Sequence, residues 1–373
     1  MIPFYWYDLI IIPGIIQGVF LAFFLLKNSK VNQNANKILI WTLLMAAFML
    51  IGRMIWLRYP SNWPVQLPLI ADTTIFLFGP LFFFYIKRLL FQSDDQIKIP
   101  FYHFLPAGIH FAKSIYYLTL TKQEFLRLLW ETSHIDYLLT EGLAILLNLI
   151  YWTWGYRLIV MYAKKEKHQV SFDQSIIGFL RYFQLAIILC LTLWLISFIS
   201  GQLLSRPLTV INYDTVWIAI SLFTYVIGYY SLKQPQLFKM PELLVKKRPH
   251  ERMSKNEIDK LSEKLNQLMV NEKPYLNNRL TLSELASMLG ASQNNVSWLL
   301  NKIHEKNFYD FINSHRIEEF KTKISNREHV QKTILALAIE VGFNSKSTFN
   351  KHFQSEVHDA PSNYIKRVMA QEI

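Results

Sequence analysis

Apolar residues in the first 232 positions come in long runs, whereas beyond about residue 250 they recur every three or four positions. The runs fall at about 6–26, 38–57, 68–87, 101–120, 136–157, 179–203 and 212–232. Each approaches the ~20 residues an α-helix needs to cross a bilayer core. The spaced pattern that follows predicts amphipathic helices. The first of these opens at Ser254, with Glu257 at the capping-box position, and carries Ile258, Leu261, Leu265, Leu268 and Met269 on one stripe. That stripe fits two uses, packing on the domain that follows or self-association into a homodimer. The chain reads as an all-α fold: a seven-helix transmembrane bundle over 1–232, a juxtamembrane linker and helix over 233–278, and a domain of short paired helices over 279–373.

Within that last domain one pattern occurs twice. Leu280 to Asn301 and Thr333 to Phe353 each hold an apolar helix with an Ala (Ala286, Ala338) four residues before a Gly (Gly290, Gly342). A Ser (Ser292, Ser345) then caps a second helix. This spacing builds a helix-turn-helix, two helices crossing closely over a short turn. The Gly stands where the chain leaves the first helix in a left-handed conformation. The Ala lets the second helix approach. Leu285, Leu289, Val296, Leu299 and Leu300 are the expected core of the first pair, and Leu335, Val341, Phe349 and Phe353 that of the second. Each Ser cap contributes roughly 1 kcal/mol. Left facing outward are Gln293, Asn294, Ser297 and Trp298, then Lys346, Ser347, Asn350 and Lys351, residue types suited to base edges and phosphates.

Over about residues 279 to 367 the chain resembles the AraC/XylS family of bacterial transcription regulators. The likeness rests on Leu282, Leu285, Ala286, Leu289, Gly290 and Ser292, on the connector Asn307-Phe308-Tyr309-Asp310-Phe311-Ile312-Asn313 with Arg316-Ile317, on Ile339, Gly342-Phe343, Phe349 and Phe353, and on Pro361-Ser362-Asn363-Tyr364. Two units, a connector and a Pro-x-x-Tyr ending in one register make it specific. The chain departs from the family at three turn or packing positions: Lys306 and His358 replace usual glycines, and Phe320 a usual alanine. The resemblance implies sequence-specific binding of double-stranded promoter DNA. It places the base-reading positions at Asn294, Ser297 and Trp298 in one recognition helix and at Lys346, Ser347, Asn350 and Lys351 in the other. The two helices would enter successive major-groove segments, spaced by a connector of roughly 28 Å over residues 307 to 325.

The composition, 52% hydrophobic with 18% charged residues, is apolar for a chain with such a domain, and the long runs supply the surplus. The first run lacks a basic leader and a small-residue cleavage site, so it is read as a retained span. Lys and Arg cluster after spans one (Lys27, Lys30, Lys37), three (Lys87, Arg88, Lys98), five (Lys164, Lys165, Lys167) and seven (Lys233, Lys239, Lys246, Lys247, Arg248). The other loops carry only Arg58, Lys122, Arg127 and Arg206. By the positive-inside rule the chain is a multi-pass protein of the inner (cytoplasmic) membrane, its amino terminus outside and its DNA-binding domain in the cytoplasm. Trp6, Tyr7, Trp41, Trp56, Trp63 and Trp217 near span ends fit interfacial belts, and the Lys246 cluster fits contact with membrane lipids. From Lys233 onward 22 Lys and Arg face 16 Asp and Glu, a net of +6 that draws the domain to phosphates.

Ionisable residues inside spans are costly and point to function. Arg53, Asp72, His110, Lys113, Asp136 and Glu141 all fall in the outer halves of their spans under this topology. They predict a polar cavity open to the outside that binds a small-molecule or lipid ligand through Arg53, Asp72, His110, Lys113 and Glu141. Inert pairing, such as Arg53 with Asp72 or Glu141, is the competing reading. Pro13-Gly14, Gly79-Pro80 and Pro106 are expected to break spans one, three and four. Cys190 is the only cysteine, which excludes an internal disulfide. No His-x-x-x-His, Gly-x-Ser-x-Gly or paired intramembrane Asp is present, so no enzyme, metal or cofactor is implied. The leading expectation is a membrane-embedded regulator that couples a membrane or extracytoplasmic signal to promoter binding. The alternative is a transporter or intramembrane enzyme with a regulatory cytoplasmic tail.

Overall fold

The computed structural model describes residues 5–28, 33–58, 67–91, 99–172, 175–233 and 253–371. Lys30, Trp63, Lys98 and the basic stretch around Lys246 lie outside the described residues. The chain divides into two compact units, residues 1–160 with 176–242 and residues 161–175 with 243–373. Among the described residues both are helical, with one isolated β-bridge.

The first unit holds α1 (Asp8–Asn28), α2 (Gln33–Arg58), α3 (Leu67–Asp72), α4 (Phe78–Leu90), α5 (Leu105–Thr119), most of α6 (Lys122–Glu166), α7 (Ser175–Phe198) and α8 (Tyr213–Lys233). Helix α2 packs against α1, α3, α4 and α8. Helices α1 and α8 meet through small residues: a β-carbon on Gly14 would lie 2.7 Å from that of Ser221. Thr224 Oγ1 donates to the Gly14 carbonyl at 3.2 Å across the same contact. Such small residues let two helix backbones approach closely. Asn148 ties α6 to the turn after α3, and the Trp152 indole ties α6 to the Gln184 carbonyl on α7.

All seven apolar runs contain helix, yet fewer have span length. Asp8–Lys27, Gln33–Ile55, Ile135–Glu166 and Ile176–Leu203 are long and apolar enough to cross a membrane. The pair Pro68–Phe76 and Phe78–Leu90, bent by 45°, makes a fifth if it counts as one span. The run at 101–120 folds as a 3-10 turn followed by α5, which is 15 residues long, and the apolar part of α8 is Tyr213–Gly228. Prolines act differently from expectation. Pro106 sits in the first turn of α5, where its missing N–H costs nothing, and Gly79 and Pro80 sit in the first turn of α4 just past the bend. Pro13 lies inside an uninterrupted α1. Leu9, Ile16, Phe20 and Phe23 on α1, Ile135, Leu139, Leu143 and Leu146 on α6, and Leu185 and Leu189 on α7 are exposed. Trp6 and Trp41 are exposed too, whereas Tyr7 is buried and Trp217 lies 5.8 Å from the Arg53 guanidinium.

In the second unit α9 (Lys255–Asn271) precedes α10 (Leu282–Met288), α11 (Gln293–Lys302), α12 (Phe308–Ser325), α13 (Ile334–Glu340), α14 (Lys346–Val357) and α15 (Pro361–Gln371). Two cores share α12. Its first half gives Phe308, Phe311 and Ile312 to the core of α10 and α11; its second half gives Ile317, Phe320 and Ile324 to that of α13 and α14. The α9 stripe, Leu261, Leu265, Leu268 and Met269, is buried in the first core. Packing on the domain is therefore the use the stripe is put to. Leu335 departs from expectation. It is 41% exposed, because α13 begins at its Thr333 cap in a phase that turns Leu337 and Ala338 inward instead.

Candidate nucleic-acid interface

Both helix-turn-helix units close as their sequences demand. Thr281 and Glu284 form a reciprocal capping box at α10. Gly290 takes φ +64° and Gly342 φ +101°. Ser292 Oγ accepts from the Asn295 amide at 3.1 Å, and Ser345 Oγ from the Thr348 amide at 3.2 Å, which starts α11 and α14. Gly342 is doubly required: a β-carbon there would lie 2.5 Å from the Tyr275 carbonyl oxygen and 2.8 Å from Arg316 Nε.

The two recognition helices present different faces. On α14, Lys346, Ser347 and Lys351 are exposed and Asn350 is half-buried. Neither lysine makes an ion pair among the described residues, so both charges are available to phosphate. On α11, Asn294, Ser297 and Trp298 are half-buried. Trp298 packs against the first core, and the Asn301 amide donates to the Ser297 carbonyl at 2.6 Å. Trp298 therefore has part of its ring committed to folding.

The three family departures are absorbed locally. Glu305 takes a left-handed φ of +52° beside Lys306, whose ammonium donates to Ser314 Oγ and Glu356 at 3.0 Å. His358 takes φ +55° and closes α14 by donating its amide to the Gln354 carbonyl. Phe320 packs against Phe349 in the second core, the ring centres 4.7 Å apart and the planes tilted by 52°.

In the first unit a cavity of about 330 Å³ is lined by Arg53, Asp72, His110 and Glu141 together with apolar groups that include Phe78, Phe82 and Phe223. The structure thus brings four of the five expected ligand residues together. Lys113 lines a neighbouring cavity of about 40 Å³, which Asp72 and His110 also line, and pairs with Asp136. Neither Arg53–Asp72 nor Arg53–Glu141 pairs directly. Arg53 instead donates to Asp214 at 3.4 Å, while Glu141 accepts from the Trp194 indole at 2.6 Å and the Tyr213 hydroxyl at 2.9 Å. Asp214, Trp194 and Tyr213 were not expected here. Asp214 was legible as an acid in the first turn of the last apolar run.

Residues 285–367 match a family model described as a helix-turn-helix domain. Over 102 residues the chain is 28% identical to proteins named uncharacterized HTH-type transcriptional regulators from Staphylococcus aureus strains COL, MSSA476 and N315, which covers 27% of this chain. The match spans 13% of the length of those relatives. No solved structure matches the chain. Residues 285–367 form a helix-turn-helix domain.

Proposed function

We propose that the protein is a membrane-embedded, sequence-specific DNA-binding transcription regulator, whose helical bundle receives a signal and whose double helix-turn-helix domain binds a promoter. The observation that carries this reading is the pair of capped recognition helices set on one shared connector. At 18 residues α12 is about 27 Å long, close to the ~34 Å between major-groove segments on one face of a duplex. The relatives' name, HTH-type transcriptional regulator, supports the same reading. Asn294, Ser297 and Trp298 read one segment; Lys346, Ser347, Asn350 and Lys351 read or grip the next.

Membrane embedding is supported by the exposed apolar faces of α1, α6 and α7, which in water would make unusually large patches. Seven crossings, with the DNA-binding domain in the cytoplasm, fit the alternation of basic loops; α5 and α8 would be the short spans. The signal is a small molecule or lipid headgroup in the bundle cavity, held by Arg53, Asp72, His110 and Glu141. The test is selection of random duplexes by the full-length protein in lipid nanodiscs. Enrichment of two motifs about one helical turn apart is the expected result. Binding that is salt-dependent but enriches no sequence would overturn the reading.

A further inference from the structure

The second unit contains a segment from far upstream in the chain. Residues 167–172, between α6 and α7, belong to the same compact unit as α9 to α15. Val170 pairs antiparallel with Thr281, the cap of α10. The Ser171 amide donates to the Leu280 carbonyl at 3.2 Å, and the Leu282 amide donates to the Gln169 carbonyl at 2.8 Å. The Tyr309 amide at the start of α12 donates to the Lys167 carbonyl at 3.0 Å, and the Lys167 ammonium lies 5.5 Å from the Tyr309 ring centre. Val170 and Ser171 are fully buried.

Arg316 on α12 completes the attachment. The side chain is 1% exposed, and all five of its N–H donors are used. Nε donates to the Tyr275 carbonyl; Nη1 to the Ser171 carbonyl and Asn313 Oδ1; Nη2 to Ser171 Oγ and the Asn277 carbonyl. Two of the five acceptors thus belong to the upstream segment. The guanidinium also lies 5.8 Å from the ring of Phe343, in the turn of the second helix-turn-helix. One side chain therefore touches the segment, the connector and the second unit's turn. Burial lowers its pKa to about 10, so it stays charged at neutral pH.

We propose that residues 167–172 form a coupling strap, which docks on α10 and α12 to fix the two recognition helices in one register and carries the state of the bundle to the DNA-binding domain. The strap is covalently continuous with α6 and α7 at its two ends, so a displacement of either helix along its axis pulls on Ser171. Its hydrogen bonds go to residues 280, 282, 309 and 316, none of which lies on the outward face of α11 or α14. Docking is therefore compatible with bound DNA. This inference rests on the DNA-binding reading above but is testable apart from it.

The test is hydrogen exchange and operator binding of the full-length protein in nanodiscs, wild type against Val170→Asp and the milder Ser171→Ala. In the wild type the Leu282 and Tyr309 amides should exchange as slowly as those of the neighbouring helices. Val170→Asp should speed exchange at both while α14 keeps its protection, and should weaken binding to a two-motif site about tenfold; Ser171→Ala should move both in the same direction by less. Fast wild-type exchange at Leu282 and Tyr309 would show that the strap is not docked and would overturn the proposal. So would undocking with unchanged affinity. If the wild type selects no sequence, the regulator reading fails, and slow exchange at those amides would then leave a purely structural strap, which also overturns coupling.

Discussion

Replacing either turn glycine by alanine tests the two helix-turn-helix units against each other, because their surroundings differ although their sequences match. At Gly290 φ is +64° and nothing lies within 4 Å of a new β-carbon. The cost there is the left-handed strain of a non-glycine residue, about 1–2 kcal/mol, less the roughly 0.4–1 kcal/mol that a stiffer unfolded chain returns. A net of about 1 kcal/mol follows. At Gly342 φ is +101°, beyond the left-handed helical region, and the β-carbon would meet the Tyr275 carbonyl oxygen at 2.5 Å. That oxygen accepts from Arg316 Nε at 2.7 Å, so moving it breaks a buried bond to a charged group, worth about 1.5–3 kcal/mol. Added to the strain, the expected loss is about 3–5 kcal/mol. Native-state hydrogen exchange of the full-length protein reads each unit separately, through the amides of Val296 to Leu300 and of Phe349 to Phe353. Gly342→Ala should open the second set far more than Gly290→Ala opens the first. Equal losses, or a greater loss at Gly290, would refute the close-approach argument.

Asn294→Ala or Asn350→Ala should relax base preference at one position of the selected site by about 1–3 kcal/mol, read by competition between single-base variants. Lys351→Ala should weaken all sequences alike and reduce the salt slope of binding by about one; an unchanged slope would remove that lysine from phosphate contact. Arg53→Leu, Asp72→Leu and Glu141→Leu should change signal-dependent promoter output with the selected DNA sequence unaltered, and unchanged output at normal protein levels would favour inert packing around the cavity. Burial pushes the Glu319 carboxyl up, but hydrogen bonds from Lys273 and Tyr275 outweigh it and hold the group below its ordinary 4.5. Its stabilising effect is then present above pH 4.5 and is lost as pH falls through the lower folded value, so Glu319→Gln should shrink the drop in melting temperature as the pH is taken below 4.5. Reporter fusions after Lys30, Lys98, Lys167 and Lys246 should all report cytoplasm, and periplasmic activity at Lys246 would separate the domain from DNA.

The turns of the DNA-binding domain were legible because their rules are local. A glycine at positive φ, a serine three residues before the amide it caps and an alanine at a close crossing all act within a few positions. Leu335 was misplaced because alternation of apolar residues does not fix helix phase at a seven-residue helix such as α13. Span lengths were over-read at 101–120 because hydropathy sees the composition of Phe101 to Phe104 but not that Pro100 starts a 3-10 turn there. The partner of Arg53 was missed because α8 enters the cavity from 161 residues away. The strap was illegible for the same reason: Ser171 and Arg316 are 145 residues apart, and no periodicity marks six residues that bind by their backbone.

The strap's strength decides how it can work. Undocking would leave two donors of a buried guanidinium without acceptors, and with each charged bond worth about 1.5–3 kcal/mol the docked state is favoured by roughly 3–6 kcal/mol before water re-solvates the site. A preference of that size keeps the strap docked in nearly every molecule at rest. To release it, a signal in the bundle must bind the undocked form more tightly by a similar margin, several hundredfold or more, since a ligand shifts an equilibrium only by its differential affinity. Modest affinity for both forms would leave the DNA-binding domain unmoved. Substitutions that weaken docking, Ser171→Ala above all, should therefore lower the ligand concentration needed for a response, and a response unmoved by Ser171→Ala would place the coupling outside the strap.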